Sequence, residues 1–290
     1  MSDFSKYLIA TDLDGTFLGR RSDLVERNLD AVERFKAGGG RFTAATGRIH
    51  LDMLRLIPQA AELFNAPGIL GNGSYLYDFG TGTSFCETLL EPRLTMDFIR
   101  YVQALDPNVG VRLSASVGFL MDAARMTPHM QRDASHPGRR HDSLIMPLDE
   151  WPVYDADVKL YKMVVRGSAE DLSRLRPTVE AAFGDAFTYT SSSPEFFEVQ
   201  AAGCDKGTGL VRLSALCGER DGYRRVTVAA GNHENDLPMI RAADLSACPS
   251  DALPKIIPEC TWVLGPYADG CIADLIERLE EPGNDARMTI

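Results

Sequence analysis

The chain has 290 residues and sets 30 Lys+Arg against 41 Asp+Glu, a net charge of −11. At roughly 150 residues per domain this length predicts one or two domains with a core that needs no cross-links, and so acidic a balance excludes the broad basic face of a nucleic-acid binder. No window of about 18 uninterrupted apolar residues occurs, so neither a membrane span nor a membrane partner is expected.

Six cysteines (Cys86, Cys204, Cys217, Cys248, Cys260, Cys271) are scattered, with no CxxC pair and no matching histidine spacing. That pattern argues against a zinc site or a disulfide framework and predicts a reducing, cytoplasmic location. The first fifteen residues lack a basic segment leading into a long apolar run and do not read as a signal peptide.

The chain opens with a strand, Tyr7 to Thr11, a turn at Gly15 and a helix from Ser22 to Lys36. In that helix Val25, Leu29 and Val32 recur at i, i+4 and i+7, and Asp23 favours its positive start. A strand from Arg41 to Thr46 ends in TGR, a short helix runs from Leu51 to Ile57, and Ile69-Leu70 forms a third strand before GNG. This β-α-β-α alternation predicts a parallel, doubly wound sheet with its site beyond the strand C-termini.

From Ser74 the rhythm changes. Tyr75 to Asp78 and Thr83 to Thr88 read as a hairpin, followed by a helix from Arg93 to Leu105 and strands at Val109 to Leu113 and Gly118 to Met121. The polar stretch Arg125 to Ser143 reads as helix or loop. Leu160 to Val165 is a strand, Glu170 to Phe183 a helix interrupted or kinked near Pro177, and Phe187 to Thr190 and Phe196 to Val199 are two further strands. This block predicts an inserted, mainly antiparallel α+β domain. The parallel pattern then returns with a helix from Gly207 to Leu216, the strand Val226 to Ala230, a helix from Leu237 to Ala243, the strand Trp262 to Leu264 and a helix from Cys271 to Leu279. The tail beyond Glu280 is polar and reads as frayed. The expected division is a core over 1–84 and 199–290, interrupted by an inserted domain over 85–198.

Four clusters carry potential chemistry. Asp12 and Asp14 follow the first strand, and the two-residue repeat of an extended chain turns both carboxylates the same way. One can attack while the other moves protons, and both can approach a divalent cation that offsets their repulsion. Gly15 permits a sharp turn that aims backbone donors, including the amide of Leu13, at an anion. Thr46-Gly47-Arg48 offers a hydroxyl and amides at a second strand end. Lys206, in Cys204-Asp205-Lys206-Gly207, places a cation before a helix. The loop from Gly231 to Asp236 follows a fourth strand with a dense run of metal-capable side chains, although Asn235 or Asp236 there would also serve as a helix cap.

In these residues the chain resembles the haloacid dehalogenase-like phosphohydrolases, and within them the Cof-type branch with a C2B cap. The motifs are DLDGT at 12–16, TGR at 46–48, DKG at 205–207 and GNHEND at 231–236, in family order. The resemblance implies an α/β fold, a Rossmann-like parallel core with an inserted α+β cap. It implies Asp12 as nucleophile, Asp14 as acid and base, and Mg²⁺ at Asp12, Asp14, Asn232 and Asp236. Leu13, Thr46, Gly47, Lys206 and Asn235 would hold the phosphoryl oxygens, and the partner would be a small phosphorylated substrate, a sugar phosphate in particular.

The fourth motif departs from the family's GDxxND: Asn232 stands at the position of the first aspartate. An amide oxygen coordinates Mg²⁺ without formal charge, which predicts weaker metal affinity. Three outcomes follow: a slow or metal-demanding phosphatase, an altered metal preference, or a catalytically weakened or inactive member that binds a phosphorylated ligand as a regulator. A receiver domain uses similar groups, but it is a single compact domain without this insertion. The arginines Arg112, Arg125, Arg132, Arg139 and Arg140 could meet an anionic or hydroxylated substrate, but most of them read as a solvated face.

Overall fold

The computed structural model describes residues 2–281; the polar tail lies, from residue 282, outside the described residues. In chain order the structure contains β1 (Tyr7–Thr11), α1 (Glu26–Ala37), β2 (Arg41–Ala44), α2 (His50–Leu56), α3 (Ala60–Leu63), β3 (Gly68–Leu70), β4 (Tyr75–Asp78) and β5 (Thr83–Phe85). There follow α4 (Pro92–Leu105), β6 (Gly110–Ala115), β7 (Gly118–Asp122), α5 (Pro128–Ser135), β8 (Ser143–Met146), β9 (Leu160–Arg166), α6 (Ala169–Phe183), β10 (Phe187–Ser193) and β11 (Phe196–Ala201). The chain closes with α7 (Lys206–Asp221), β12 (Val226–Ala230), α8 (Leu237–Ala242), β13 (Leu245–Pro249), β14 (Trp262–Leu264) and α9 (Cys271–Glu280).

Two compact units result. The first holds the chain up to Thr46, Gln59–Cys86 and the chain from Asp205 on; the second holds Gly47–Pro58 and Glu87–Cys204. No helix among the described residues is long and apolar enough to cross a membrane.

The first unit is built on a parallel sheet of order β14-β13-β12-β1-β2. From β1 the chain moves outward to β2, whereas β12, β13 and β14 step outward the other way. Right-handed crossovers therefore wind helices onto opposite faces, and the strand order reverses between β1 and β12. On one face Leu8, Ala10 and Ala229 pack against Leu210 and Leu213 of α7 and Met239 of α8. Elsewhere in the unit α1 packs against α9, where buried Asn28 accepts the Ala273 amide at 3.0 Å and donates to the Phe17 carbonyl at 2.9 Å.

Several expectations shift. The first helix begins at Glu26 rather than Ser22, because Ser22 has a φ of 57° and the Asp23 carbonyl accepts the Gly19 amide at 2.8 Å, so Asp23 closes a turn instead of capping the helix. The third strand, β3, joins the parallel sheet through the Ala45–Ile69 bridge; its ladder partner is β4, which pairs in turn with β5 in an antiparallel sheet. Helix α7 continues past Leu216 to Asp221, with Cys217 on its buried side. Strand β13 was not anticipated, since LSACP has little β-branched character; pairing on both edges and complete burial make it.

The second unit contains the six-stranded sheet β10-β11-β9-β6-β7-β8, antiparallel except between β7 and β8. Val111, Leu113, Met163, Val165, Phe197 and Val199 alternate onto one face and pack with Phe98 and Ile99 of α4 and Leu172 and Leu175 of α6. Helix α6 runs through Pro177 without interruption. The polar stretch before β8 contains α5, capped by Thr127. The arginine expectation is corrected there: Arg132 and Arg140 are exposed, but Arg112 and Arg139 are buried at 4% and 8% exposure.

Candidate active site

The C-terminal ends of β1 and β12 lie side by side, with Thr11 opposite Ala230, so Asp12 and the loop beginning at Gly231 emerge together at the point where strand order reverses. The Asp12 amide extends the ladder by donating to the Ala230 carbonyl at 2.8 Å. Beyond it the Leu13 carbonyl accepts the amides of Phe17 at 3.1 Å and Leu18 at 2.9 Å, which folds the segment back on itself. Gly15 has a φ of +79°, and a Cβ there would sit 2.4 Å from the Asn232 Nδ2, so only glycine lets the two loops approach this closely.

Lys206 reaches this point from another element. Asp205 caps α7 by accepting the Thr208 amide at 2.7 Å, while the Thr208 hydroxyl receives the Asp205 amide at 3.1 Å. That box fixes Lys206 in the first turn. Its Nζ donates to Asp12 Oδ1 at 2.6 Å and to Asp236 Oδ1 at 2.6 Å, and the side chain is wholly buried. The other oxygen of Asp236 accepts the amides of Asn232 at 2.8 Å and His233 at 2.9 Å. Asp236 therefore has both oxygens engaged and acts as the anchor of its loop.

Burial pushes Asp12 up to about 7, with Lys206 pulling down and Asp236 and Asp14 pushing further up. Burial works against the charge on Lys206, but Asp12 and Asp236 outweigh it and hold the ammonium above its ordinary range. When both are ionised, Asp12 and Asp236 face one ammonium, an excess of negative charge that a cation would offset.

The donors are hard oxygens, which suits Mg²⁺. Among the described residues no group of three His, Cys, Asp or Glu is arranged to hold a metal by itself. Asp14 is exposed, beside the buried Asp12.

Thr46 is buried; its amide donates to the Ile69 carbonyl at 2.8 Å and its carbonyl accepts the Asn72 amide at 2.9 Å. Asn235 donates from Nδ2 to the Asn72 Oδ1 at 3.2 Å. Asn72 thus ties the Thr46 strand end to the Asn235 loop, a role the sequence reading did not assign. Its signal was the GNG following β3. Gly73, at φ +93°, abuts the start of α7 so closely that a Cβ would lie 2.0 Å from the Asp205 carbonyl oxygen. Of the expected residues, Asp12, Leu13, Asp14, Thr46, Lys206, Asn232, Asn235 and Asp236 belong to the first unit, whereas Gly47 opens a segment of the second.

Comparison with known proteins agrees with this architecture. Residues 9–276 match the family model described as haloacid dehalogenase-like hydrolase. The chain is 25% identical over 291 residues to the 5-amino-6-(5-phospho-D-ribitylamino)uracil phosphatase YwtE of Bacillus subtilis (strain 168), covering 93% of this chain and 97% of that one. It is 25% identical over 251 residues to the HMP-PP phosphatase of Yersinia pestis (strain Pestoides F), covering 86% and 85%. Among solved structures, a haloacid dehalogenase-like hydrolase from Bacteroides thetaiotaomicron superposes with a TM-score of 0.75 at 20% identity, over 94% of this chain and 99% of that one. A HAD subclass IIB sugar phosphatase does so with a TM-score of 0.73 at 17% identity, over 94% and 98%. These two likenesses are likenesses of fold.

Proposed function

Since the chain belongs to the haloacid dehalogenase-like hydrolases, we propose that it is a Mg²⁺-dependent phosphatase that cleaves small phosphorylated metabolites, sugar phosphates in particular, through an aspartyl-phosphate at Asp12. The reaction class is phosphoric monoester hydrolysis. The observation that carries the reading is the Lys206 ammonium, 2.6 Å from both Asp12 and Asp236 where β1 and β12 end.

A carboxylate oxygen of Asp12 attacks phosphorus, the new P–O bond forms and the bond to the leaving oxygen breaks, while Asp14 gives that oxygen a proton. Asp14 then takes a proton from water, whose oxygen displaces Asp12 and leaves inorganic phosphate. Lys206 orients the nucleophile and compensates charge on the transferring group. The Thr46 hydroxyl, the amides of Leu13 and Gly47, and Asn235 are assigned to the phosphoryl oxygens. Asp12, Asp14 and Asn232 would hold Mg²⁺, with Asp236 securing the loop that carries Asn232, and the ion would supply positive charge against those oxygens.

Burial of Asp12 serves this role, because a carboxylate stripped of water is a better nucleophile once its charge is balanced. A second reading, a binder of phosphorylated ligands with weakened turnover, is favoured by one observation, the uncharged amide of Asn232 beside Gly15. Phosphate release from a sugar-phosphate panel, with Mg²⁺ or with chelator, separates the two. The phosphatase loses turnover on chelation, and Asp12→Asn lowers it by more than roughly 10³-fold. Release that survives Asp12→Asn overturns the nucleophile assignment.

A further inference from the structure

The second unit carries a buried polar face that the reaction above does not use. Opposite the apolar face of its sheet, Arg112 and Ser114 of β6, Lys162 and Arg166 of β9, and Glu198 and Gln200 of β11 alternate onto one side. All six are buried, at 4% exposure or less.

Their charges do not balance. Asp133 of α5 pairs with Arg112, with Arg166 at 3.4 Å and with Arg139 at 3.5 Å, so three guanidinium groups share one carboxylate. Arg139 also meets Asp52 of α2 at 3.3 Å, but Arg48 takes the same carboxylate at 3.1 Å. Glu195, 3.8 Å from Arg166, is shared with the exposed Arg132 at 3.5 Å. Lys162 and Glu198 neutralise each other at 3.1 Å. With three guanidinium groups on Asp133, and with Asp52 and Glu195 each shared with a further arginine, positive charge is in excess. Burial, followed by the neighbouring Arg112, draws Arg139 down to about 10, as expected of a cation crowded by others.

Unpartnered polar atoms mark the same face. The Nε of Arg112 and the Oγ of Ser114 are buried without a hydrogen-bond partner, and the amide of the wholly buried Gln200 has neither end bonded. In the sheet register Gln200, Lys162 and Ser114 form one cross-strand row, next to the row that holds Arg112. A network kept only for stability would leave neither charge in excess nor donors unmade, because each costs free energy when buried.

We propose that this face is a second anion site, in which Arg112, Arg139 and Arg166 bind a phosphoryl or carboxylate group and Ser114 and Gln200 bind the hydroxyl or carbonyl groups next to it. Guanidinium forks suit both anions through paired hydrogen bonds. The ligand is a free small anion held by the second unit alone, so the proposal does not rest on the phosphatase reading.

The test uses the full chain carrying Asp12→Asn, so that ligands bind without turnover. Glycerol 3-phosphate and 3-phosphoglycerate share a three-carbon skeleton and differ by one carboxylate. By calorimetry the second binds at least about tenfold tighter, a margin of about 1.4 kcal/mol. Adding Arg112→Met, which relieves the excess charge, or Gln200→Met, which removes the unpartnered amide, cuts the margin below about threefold while the melting temperature without ligand holds or rises. A margin lost in this way assigns the site to a carboxylate-bearing metabolite. Sodium sulfate that raises the melting temperature of the parent but of neither double variant, with no margin between the two esters, assigns it to a free anion. A margin or sulfate response equal in parent and both variants, or absent from the parent altogether, overturns the proposal. Phosphate release from glycerol 3-phosphate by the unsubstituted enzyme is measured alongside. Its absence strikes the phosphatase reading and leaves the calorimetric result standing.

Discussion

Two buried charge clusters invert each other. In the first unit one ammonium, Lys206, lies between Asp12 and Asp236, with Asp14 near. In the second, one carboxylate, Asp133, lies among Arg112, Arg139 and Arg166. Each has a backbone reason for its position, the ends of parallel strands in one case and the polar alternation of an antiparallel sheet in the other. Neither balances internally, and the sign of the remainder differs. A cluster with carboxylates in excess is suited to receive a cation and one with guanidinium groups in excess to receive an anion, so local charge counting distinguishes two sites that burial alone would class together.

The strongest way to break this comparison is to remove the central ion of the first cluster. Lys206→Met leaves Asp12 and Asp236 buried without their cation, which costs about 3 to 5 kcal/mol in urea unfolding. The transferring group also loses its lysine, so kcat/KM falls by more than roughly 10³-fold. A variant with native stability and activity would mean that the 2.6 Å contacts are incidental. Next in size is Gly73→Ala. It combines a left-handed backbone with a Cβ placed 2.0 Å from the Asp205 carbonyl oxygen, so the start of α7 must move. Displacing Lys206 by even about 1 Å costs on the order of 10²-fold in kcat, and kinetics of Gly73→Ala beside Gly80→Ala, an exposed turn position, isolates that effect.

What the sequence made legible follows from these physical differences. Strand-end acids, a lysine before a helix and a polar loop after an apolar strand are local patterns, and β1, β12, Asp12, Lys206 and the 231–236 loop were all readable from them. Asn72 was harder, since its role depends on two other segments, Thr46 and Asn235, meeting across it. Strand β13 was invisible to composition because its neighbours, not its residues, make it a strand. Arg112 and Arg139 misled for the same reason. Charged residues are read as solvated by default, and only the pairing of β6 with β9 and the packing of Asp133 show that these two are enclosed.

A finer test concerns the amide of the fourth motif. Asn232→Asp adds a formal charge to a site that already has hard oxygen donors, so the Mg²⁺ concentration for half-maximal turnover should fall by about tenfold, worth about 1.4 kcal/mol. The added charge should leave the second cluster untouched, so binding of 3-phosphoglycerate to chelated Asp12→Asn protein serves as the control. An unchanged or raised metal requirement would remove Asn232 from the metal site.

The smallest expected effects are in pH, and there the clusters should part in sign. Burial pushes the Asp133 carboxyl up, but Arg112, Arg139 and Arg166 together hold it below its ordinary value. A depressed carboxylate stabilises the fold above its unfolded pKa of about 3.9, and that contribution is lost as pH falls through the folded value. The stability difference between the parent and Asp133→Asn should therefore be flat above about pH 5 and shrink below about pH 4. Asp12, raised to about 7 without metal, runs the other way: its ionisation costs stability as pH climbs from the unfolded value toward 7. Asp12→Asn measured with chelator should match the parent near about pH 4 and exceed it at neutral pH. Urea unfolding of both variants across pH 4 to 8, with the acid limb of Asp133→Asn extended to pH 3, gives the two slopes directly. Slopes of the same sign would show that the guanidinium groups do not outweigh burial at Asp133, and the contrast between the clusters would fail at its simplest point.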